Sequence, residues 1–199
     1  MNVYDFDKTI YYPDAMFQFC CFCHWRHLTL WFRCLPKILL FAFLLVFKLS
    51  DEASLLKRIY AIAKYLKNPE KDIMKFWDSH EKRIRPWYLK IKQSTDLIIT
   101  ASPEYLVKPI ADKLGVKVIG TNVDIKSGQV IGGIMKNQYK ARFIMEKEMP
   151  IIENFYSDSI TDTPIALLAE RAYFVKKDKI MPWPHITDIK IKKIHPLKK

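Results

Sequence analysis

The chain reads as an α/β protein: a parallel sheet of five strands flanked by helices, with a small all-helical cap inserted early. Three observations predict this. From residue 96 onward, short apolar runs alternate with helical stretches, the pattern of a parallel sheet with right-handed crossovers. Leu97-Ile98-Ile99 is continuously apolar, as expected of a strand buried on both faces. Residues 15–95, by contrast, show helical patterning with no strand-like alternation bounded by turns. The predicted catalytic core is therefore 1–13 joined to 96–199, and the cap is 14–95.

Taken in order, Val3, Tyr4 and Phe6 form the first strand and deliver Asp5 and Asp7 at its carboxyl end. Positions two apart share a face of a strand, so the two carboxylates converge. Asp14 is placed to cap the first cap helix. Pro36 breaks the helical run, and Ser50-Asp51-Glu52 restarts it with a cap and early acidic residues. Asn68-Pro69-Glu70 opens a more polar helical stretch that Pro86 interrupts. After the strand at Leu97–Ile99, Ser102 and Pro103 are expected to start a helix that stops at Gly115. Val116–Gly120 is a third strand and Asn122–Gly133 a hairpin excursion. A helix follows over Gln138–Glu148, a fourth strand over Ile151–Tyr156, a helix over Thr163–Arg171 and a fifth strand over Ala172–Val175.

At 199 residues, half of them hydrophobic, the chain can bury a sizeable core and is not a disordered polymer. Its net charge of +12 favours anionic partners: phosphorylated compounds, acidic lipid surfaces or nucleic acid. Much of the excess lies in residues 176–199, which hold eight lysines against two aspartates and read as a basic tail. No recognisable nucleic-acid-binding motif accompanies the lysines, which argues against that partner. All four cysteines lie between Cys20 and Cys34; without a secretory signal, a reduced cytoplasmic state is expected. Cys20, Cys21, Cys23, His24 and His27 lack a paired Cys-x-x-Cys knuckle, so packing is preferred to zinc. The ten residues 38–47 are apolar on every face but too few to span a bilayer. A buried cap helix, a self-association surface and a shallow membrane anchor all remain open for them, the last implying peripheral membrane association.

Chemistry gathers where the strands end. Asp5 and Asp7 follow the first strand, and such paired carboxylates need a cation, a shared proton or distinct roles. Thr100 ends the second strand, followed by the amides of Ala101 and Ser102 at an expected helix start, which would suit an anion. Asp158 and Asp162 follow the fourth strand, and Lys136 and Lys140 begin a basic helix between them. Parallel sheets bind ligands at this edge.

Asp5-Phe6-Asp7-Lys8-Thr9, Thr100-Ala101-Ser102-Pro103-Glu104, a lysine near 140 and Asp158-Ser159-x-x-Asp162-Thr163-Pro164 resemble, in order, the four motifs of the haloacid dehalogenase-like superfamily. The nearest likeness is to its phosphoserine phosphatase-like branch, which has a Rossmann-like core and a helical cap after the first motif; phosphatidylglycerophosphate phosphatases belong to the same superfamily. The resemblance implies that Asp5 is a nucleophile forming an aspartyl-phosphate and Asp7 a general acid and base. It implies magnesium held by Asp5, the Asp7 carbonyl and Asp158, with Asp162 supporting. Thr100, Ala101 and Ser102 would bind phosphate, and Lys140 would balance charge, with Lys136 and Lys147 as rivals for that role. Lys8 departs from the glycine often found there. The expected function is a magnesium-dependent phosphomonoesterase acting on a lipid-phosphate head group or on a small soluble phosphorylated metabolite. A non-catalytic anion-binding module is the alternative, against which the intact Asp5 and Asp7 weigh.

Overall fold

The computed structural model describes residues 1–184. Its frame is a sheet in the order β3-β2-β1-β6-β7-β8. In chain order these strands are β1 (Asn2–Tyr4), β2 (Leu97–Pro103), β3 (Lys117–Thr121), β6 (Ile152–Ser157), β7 (Ala169–Lys176) and β8 (Lys179–Pro182); β4 (Val123–Asp124) and β5 (Gln129–Val130) form a separate hairpin. The first five are parallel, and β8 returns antiparallel to β7. The sheet thus has six strands rather than five. The segment read as the start of a basic tail turns at Lys177 and Asp178 and adds the edge strand; residues 185–199 of that tail lie outside the described residues. Lys179 at one end of this strand and Pro182 at the other suit an exposed edge.

Between β1 and β2 the chain inserts helices α1 (Ala15–Arg26), α2 (Thr29–Arg33), α3 (Leu35–Val46), α4 (Glu52–Tyr60), α5 (Pro69–His80) and α6 (Pro86–Ile91). The cap residues act as their chemistry predicts: Asp14 accepts from the Phe17 amide at 2.8 Å, Asp51 from Ser54 and Asn68 from Lys71. Pro36 lies in the first turn of α3, where its missing N–H costs nothing. One buried cluster runs from Tyr4 and Phe6 through Phe19 of α1 and Phe76 and Trp77 of α5 to Tyr88 of α6. Trp77 also donates at 2.7 Å to the carbonyl of Leu106, in the helix Glu104–Leu114, so α5 is fixed to the core by packing and by a hydrogen bond.

Beyond β2 come α7 (Glu104–Leu114), α8 (Gln138–Glu146) and α9 (Thr163–Ala166). Two expectations are corrected here. Ser102 is not the cap of α7: the strand continues through Pro103, and the Ser102 hydroxyl is committed to Asp7. The helix expected over Thr163–Arg171 ends at Ala166, because Ala169–Arg171 is drawn into β7 by its ladder with Ile152 and Asn154. Gly115 closes α7 with φ +72°, a left-handed conformation that glycine adopts at no steric cost. At Gly120 a Cβ would meet Glu104 Cα at 2.7 Å, so β3 can approach the start of α7 only without a side chain.

Candidate active site

The carboxyl ends of β1, β2 and β6 meet at one edge, where the sheet order makes β1 the neighbour of both others. The Asp5 amide donates to the Tyr156 carbonyl at 2.9 Å, continuing the β1–β6 ladder and bringing Asp5 to the first turn of α8. There Lys140 Nζ donates to Asp5 Oδ1 at 2.7 Å and to Asp162 Oδ2 at 3.0 Å. All three side chains are almost wholly buried. Ser157 donates to Asp162 Oδ2 at 2.9 Å, fixing the carboxylate that fixes the lysine.

Asp7 is held from two sides. Its Oδ1 accepts from the Ala15 amide at 2.6 Å, at the start of α1, and its Oδ2 accepts from Ser102 Oγ at 2.6 Å and Thr100 Oγ1 at 3.3 Å. Thr100 Oγ1 in turn accepts from the Ser102 amide at 3.0 Å. Asp158 sits a step aside: Thr9 Oγ1 donates to its Oδ1 at 3.3 Å and accepts from its amide at 2.9 Å. Lys8, where φ is +60°, carries the tight turn between these groups.

Burial dominates the electrostatics. It pushes Asp5 up from the ordinary 3.8 to about 7, against the pull of Lys140, and Asp7 up to about 6, with Asp14 adding to the effect and the Ala15 and Ser102 hydrogen bonds opposing it. Asp158 is raised by the same desolvation. Burial alone would lower Lys140, but Asp5 and Asp162 hold it above its usual value. The site is rich in buried carboxylate and contains one deeply buried ammonium, Lys140.

Above this floor lies a cavity of about 600 Å³. Asp5, Asp7, Lys140 and Asp162 reach it from below, and Ala101 and Ser102 from β2. The opposite wall is mostly apolar and comes from the inserted helices, including Phe17, Trp31, Leu35, Ile38, Leu56 and Ile59, with Asp14, His24, Glu52 and Tyr60 as its polar members. Lys136 bridges core and insert by pairing with Glu52 of α4.

Of the three lysines proposed for the site, the structure brings Lys140 to Asp5; Lys136 stands at the cavity wall, and Lys147 lies over the Phe143 ring on an exposed turn. Thr100 and Ser102 arrive at the predicted place, with their hydroxyls turned to Asp7. Sequence reading missed the parts played by Thr9, Ser157 and Glu52. Thr9 ends the first quoted motif and Ser157 immediately precedes the fourth, and their hydroxyls beside carboxylates in the sequence were the signal. Nothing local marked Glu52, whose partner is 84 residues away.

Asp5, Asp7 and Asp158 offer magnesium hard oxygen ligands, and burial penalises the charged form of each, a penalty that a bound divalent cation would offset. The residues fit the ion. In the present arrangement Asp5 leans on Lys140 and Asp158 on Thr9, and among the described residues no three acidic, histidine or cysteine side chains already surround one point. The cysteines are free thiols, with Cys23 and Cys34 buried as packing residues.

Sheet order, inserted helices and a buried lysine paired with two carboxylates, Asp5 and Asp162, with Asp7 and Asp158 beside them, define an α/β enzyme site at the carboxyl edge of the strands. The chain belongs to the haloacid dehalogenase-like hydrolase family, whose model matches residues 3–167. Its fold is similar to that of a protein of unknown function from Bordetella pertussis Tohama I, at a TM-score of 0.71 and 14% identity over 86% of this chain and 87% of that one. A phosphoserine phosphatase solved as a phospho-aspartyl intermediate analogue matches at a TM-score of 0.54 and 14% identity, covering 85% and 83% of the two chains. A probable phosphoserine phosphatase from Vibrio cholerae gives 0.60 and 13%, with 86% of this chain spanning 55% of that one. At these identities the likeness is one of fold. No curated protein sequence matches the chain.

Proposed function

We propose that the protein is a magnesium-dependent phosphomonoesterase that works through an aspartyl-phosphate on Asp5 and acts on a lipid-phosphate head group. The observation that carries the chemistry is the pairing of Asp5 with Lys140 at the cavity floor, two residues from an Asp7 anchored by Ala15, Thr100 and Ser102.

An Asp5 oxygen attacks phosphorus, the ester P–O bond breaks, and the proton of Asp7 passes to the leaving alkoxide. Water then attacks the aspartyl-phosphate, Asp7 takes its proton, and inorganic phosphate leaves with Asp5 restored. An Asp7 raised to about 6 suits this exchange, since it can hold and return a proton near neutral pH. Lys140 balances charge on the phosphoryl oxygens while Asp162 and Ser157 keep it oriented. Magnesium, when bound by Asp5, the main-chain carbonyl of Asp7 and Asp158, supplies neutralisation of phosphoryl charge.

The apolar wall supports the substrate class. Phe17, Leu35, Ile38, Leu56 and Ile59 leave most of this wall without a hydrogen-bonding group for a leaving alcohol, His24, Glu52 and Tyr60 being its polar points, whereas an acyl or prenyl portion gains by leaving water. Phosphate release should be measured from p-nitrophenyl phosphate, sugar phosphates, phosphoserine and lysophosphatidic acid, each with and without magnesium. Lysophosphatidic acid is expected to give the highest kcat/KM. Preferred turnover of the sugar phosphates or phosphoserine would reassign the substrate to a small soluble metabolite, and no turnover of any ester would remove the enzymatic reading.

A further inference from the structure

We infer that the outer face of α3 docks on an anionic lipid bilayer, with the helix lying in the plane of the interface. This surface needs nothing from the phosphatase reading, although it would deliver a lipid phosphate to the cavity that reading describes. Helix α3 has twelve residues and none is buried, despite a sequence that is apolar except for Lys37. Leu39, Leu40, Phe43, Val46 and Phe47 are each between 54 and 78% exposed. Their spacing of one, three and four residues sets them on one face of the helix, and Phe43 and Phe47 lie with ring centroids 4.6 Å apart. Among the described residues nothing covers this face. Among the described residues no helix is long and apolar enough to cross a membrane, so the face can lie along a bilayer but α3 cannot span one.

Charge selects the occupant. Residues 15–67 contain eight lysines and arginines against two acids, Asp51 and Glu52, and Glu52 is already engaged by Lys136. Lys57, Arg58 and Lys64 line a second concavity of about 410 Å³ between α4 and the β4–β5 hairpin. Phe41 of α3 forms its rim, with the Arg58 guanidinium 4.7 Å from the ring centroid. An apolar strip beside a basic hollow matches an acyl boundary beside phosphate head groups. A second copy is a poorer fit, because a two-fold contact through α3 would set these cations against themselves. Docking also has a direction: Leu35 and Ile38 line the active-site cavity while the next turns of the same helix face outward, so the cavity wall meets the lipid.

Co-sedimentation of the full chain with vesicles of equal parts phosphatidylcholine and phosphatidylglycerol, and with pure phosphatidylcholine vesicles, tests the proposal. The protein is expected to bind the anionic vesicles more strongly. F43D/F47D, neither residue lining the active-site cavity, is expected to lose about tenfold or more in partitioning for each phenylalanine removed, with hydrolysis of p-nitrophenyl phosphate in solution unchanged. K57E/R58E should lose the preference for anionic lipid and keep weak binding to both vesicle types. Two results would overturn the inference: F43D/F47D binding as tightly as wild type, which would locate the attraction in other cations, or a wild type that ignores both vesicles and sediments as a dimer that F43D/F47D breaks. Because p-nitrophenyl phosphate reports catalysis separately, failure of docking and failure of the phosphatase reading give different results.

Discussion

The floor and the roof of the cavity follow opposite rules. At the floor, Asp5, Lys140 and Asp162 are buried, Asp7 is half-buried, and each has a named hydrogen-bond partner within 3.3 Å. At the roof, α3 carries apolar side chains that water reaches, the reverse of what folding alone would favour. A buried charge is tolerated only if paired, and an exposed apolar face is costly unless something covers it. The floor is therefore built to hold charge that changes during a reaction, whereas the roof is built to meet an apolar surface. Substitutions at one should leave the other untouched.

The largest effect is expected from Asp5→Asn, which replaces the nucleophilic carboxylate with a near-isostere. Turnover should fall by about 10⁴-fold or more with the thermal midpoint preserved and vesicle binding intact. Wild-type turnover in this variant would place the nucleophile elsewhere. Lys140→Met should come next, since it strands Asp5 and Asp162 without their shared cation. Loss of one member of a buried ion pair typically costs about 3–5 kcal/mol, and urea denaturation reads it directly. The double change Lys140→Met, Asp162→Asn should recover part of that loss; no recovery would show that Lys140 stabilises by packing rather than by charge.

A smaller effect separates two carboxylates of the same turn. Asp158→Ala should raise the magnesium concentration needed for half-maximal activity well beyond the change in Asp162→Ala, for which a supporting residue predicts about 10–100-fold in activity or affinity. Equal shifts would mean that the two roles are misassigned. The smallest concerns pH. Asp5 and Asp7 bind a proton more tightly folded, at about 7 and 6, than at the ordinary 3.8 of an exposed carboxylate. The folded state therefore takes up protons, and these two groups lower stability as pH rises from about 4 through 7. In magnesium-free buffer the thermal midpoint should fall between pH 5 and pH 8, and the fall should be shallower in Asp5→Asn. Magnesium should flatten it further by stabilising the ionised forms. An identical slope in wild type and Asp5→Asn would assign the pH dependence to other groups.

Much of this was legible in the amino-acid order because it depends on short-range chemistry. Asp14, Asp51 and Asn68 cap helices within three residues of themselves, and period and turn residues located β1, β2, β3 and β6. Asp5 and Asp7 sit together because a strand alternates its faces, and that holds wherever the strand lies. The resemblance carried by the four motifs supplied roles for these residues, and the family match over residues 3–167 agrees with it.

What only the tertiary structure decided depends on partners far apart in sequence. Lys140 rather than Lys136 or Lys147 meets Asp5, 135 residues away, because the register of α8 against the sheet selects one lysine of the helix. Ser102 serves Asp7 instead of capping a helix because β2 runs on beside β1. The sixth strand arises because β7 offers Lys179–Pro182 an open edge, a possibility that composition read as a basic tail. The exposure of α3 is of the same kind. An all-round apolar run is compatible with a buried helix or a surface one, and only the packing of its neighbours determines which faces they cover. Local interactions set what each segment prefers to be; burial and pairing, which are collective, settle what it touches.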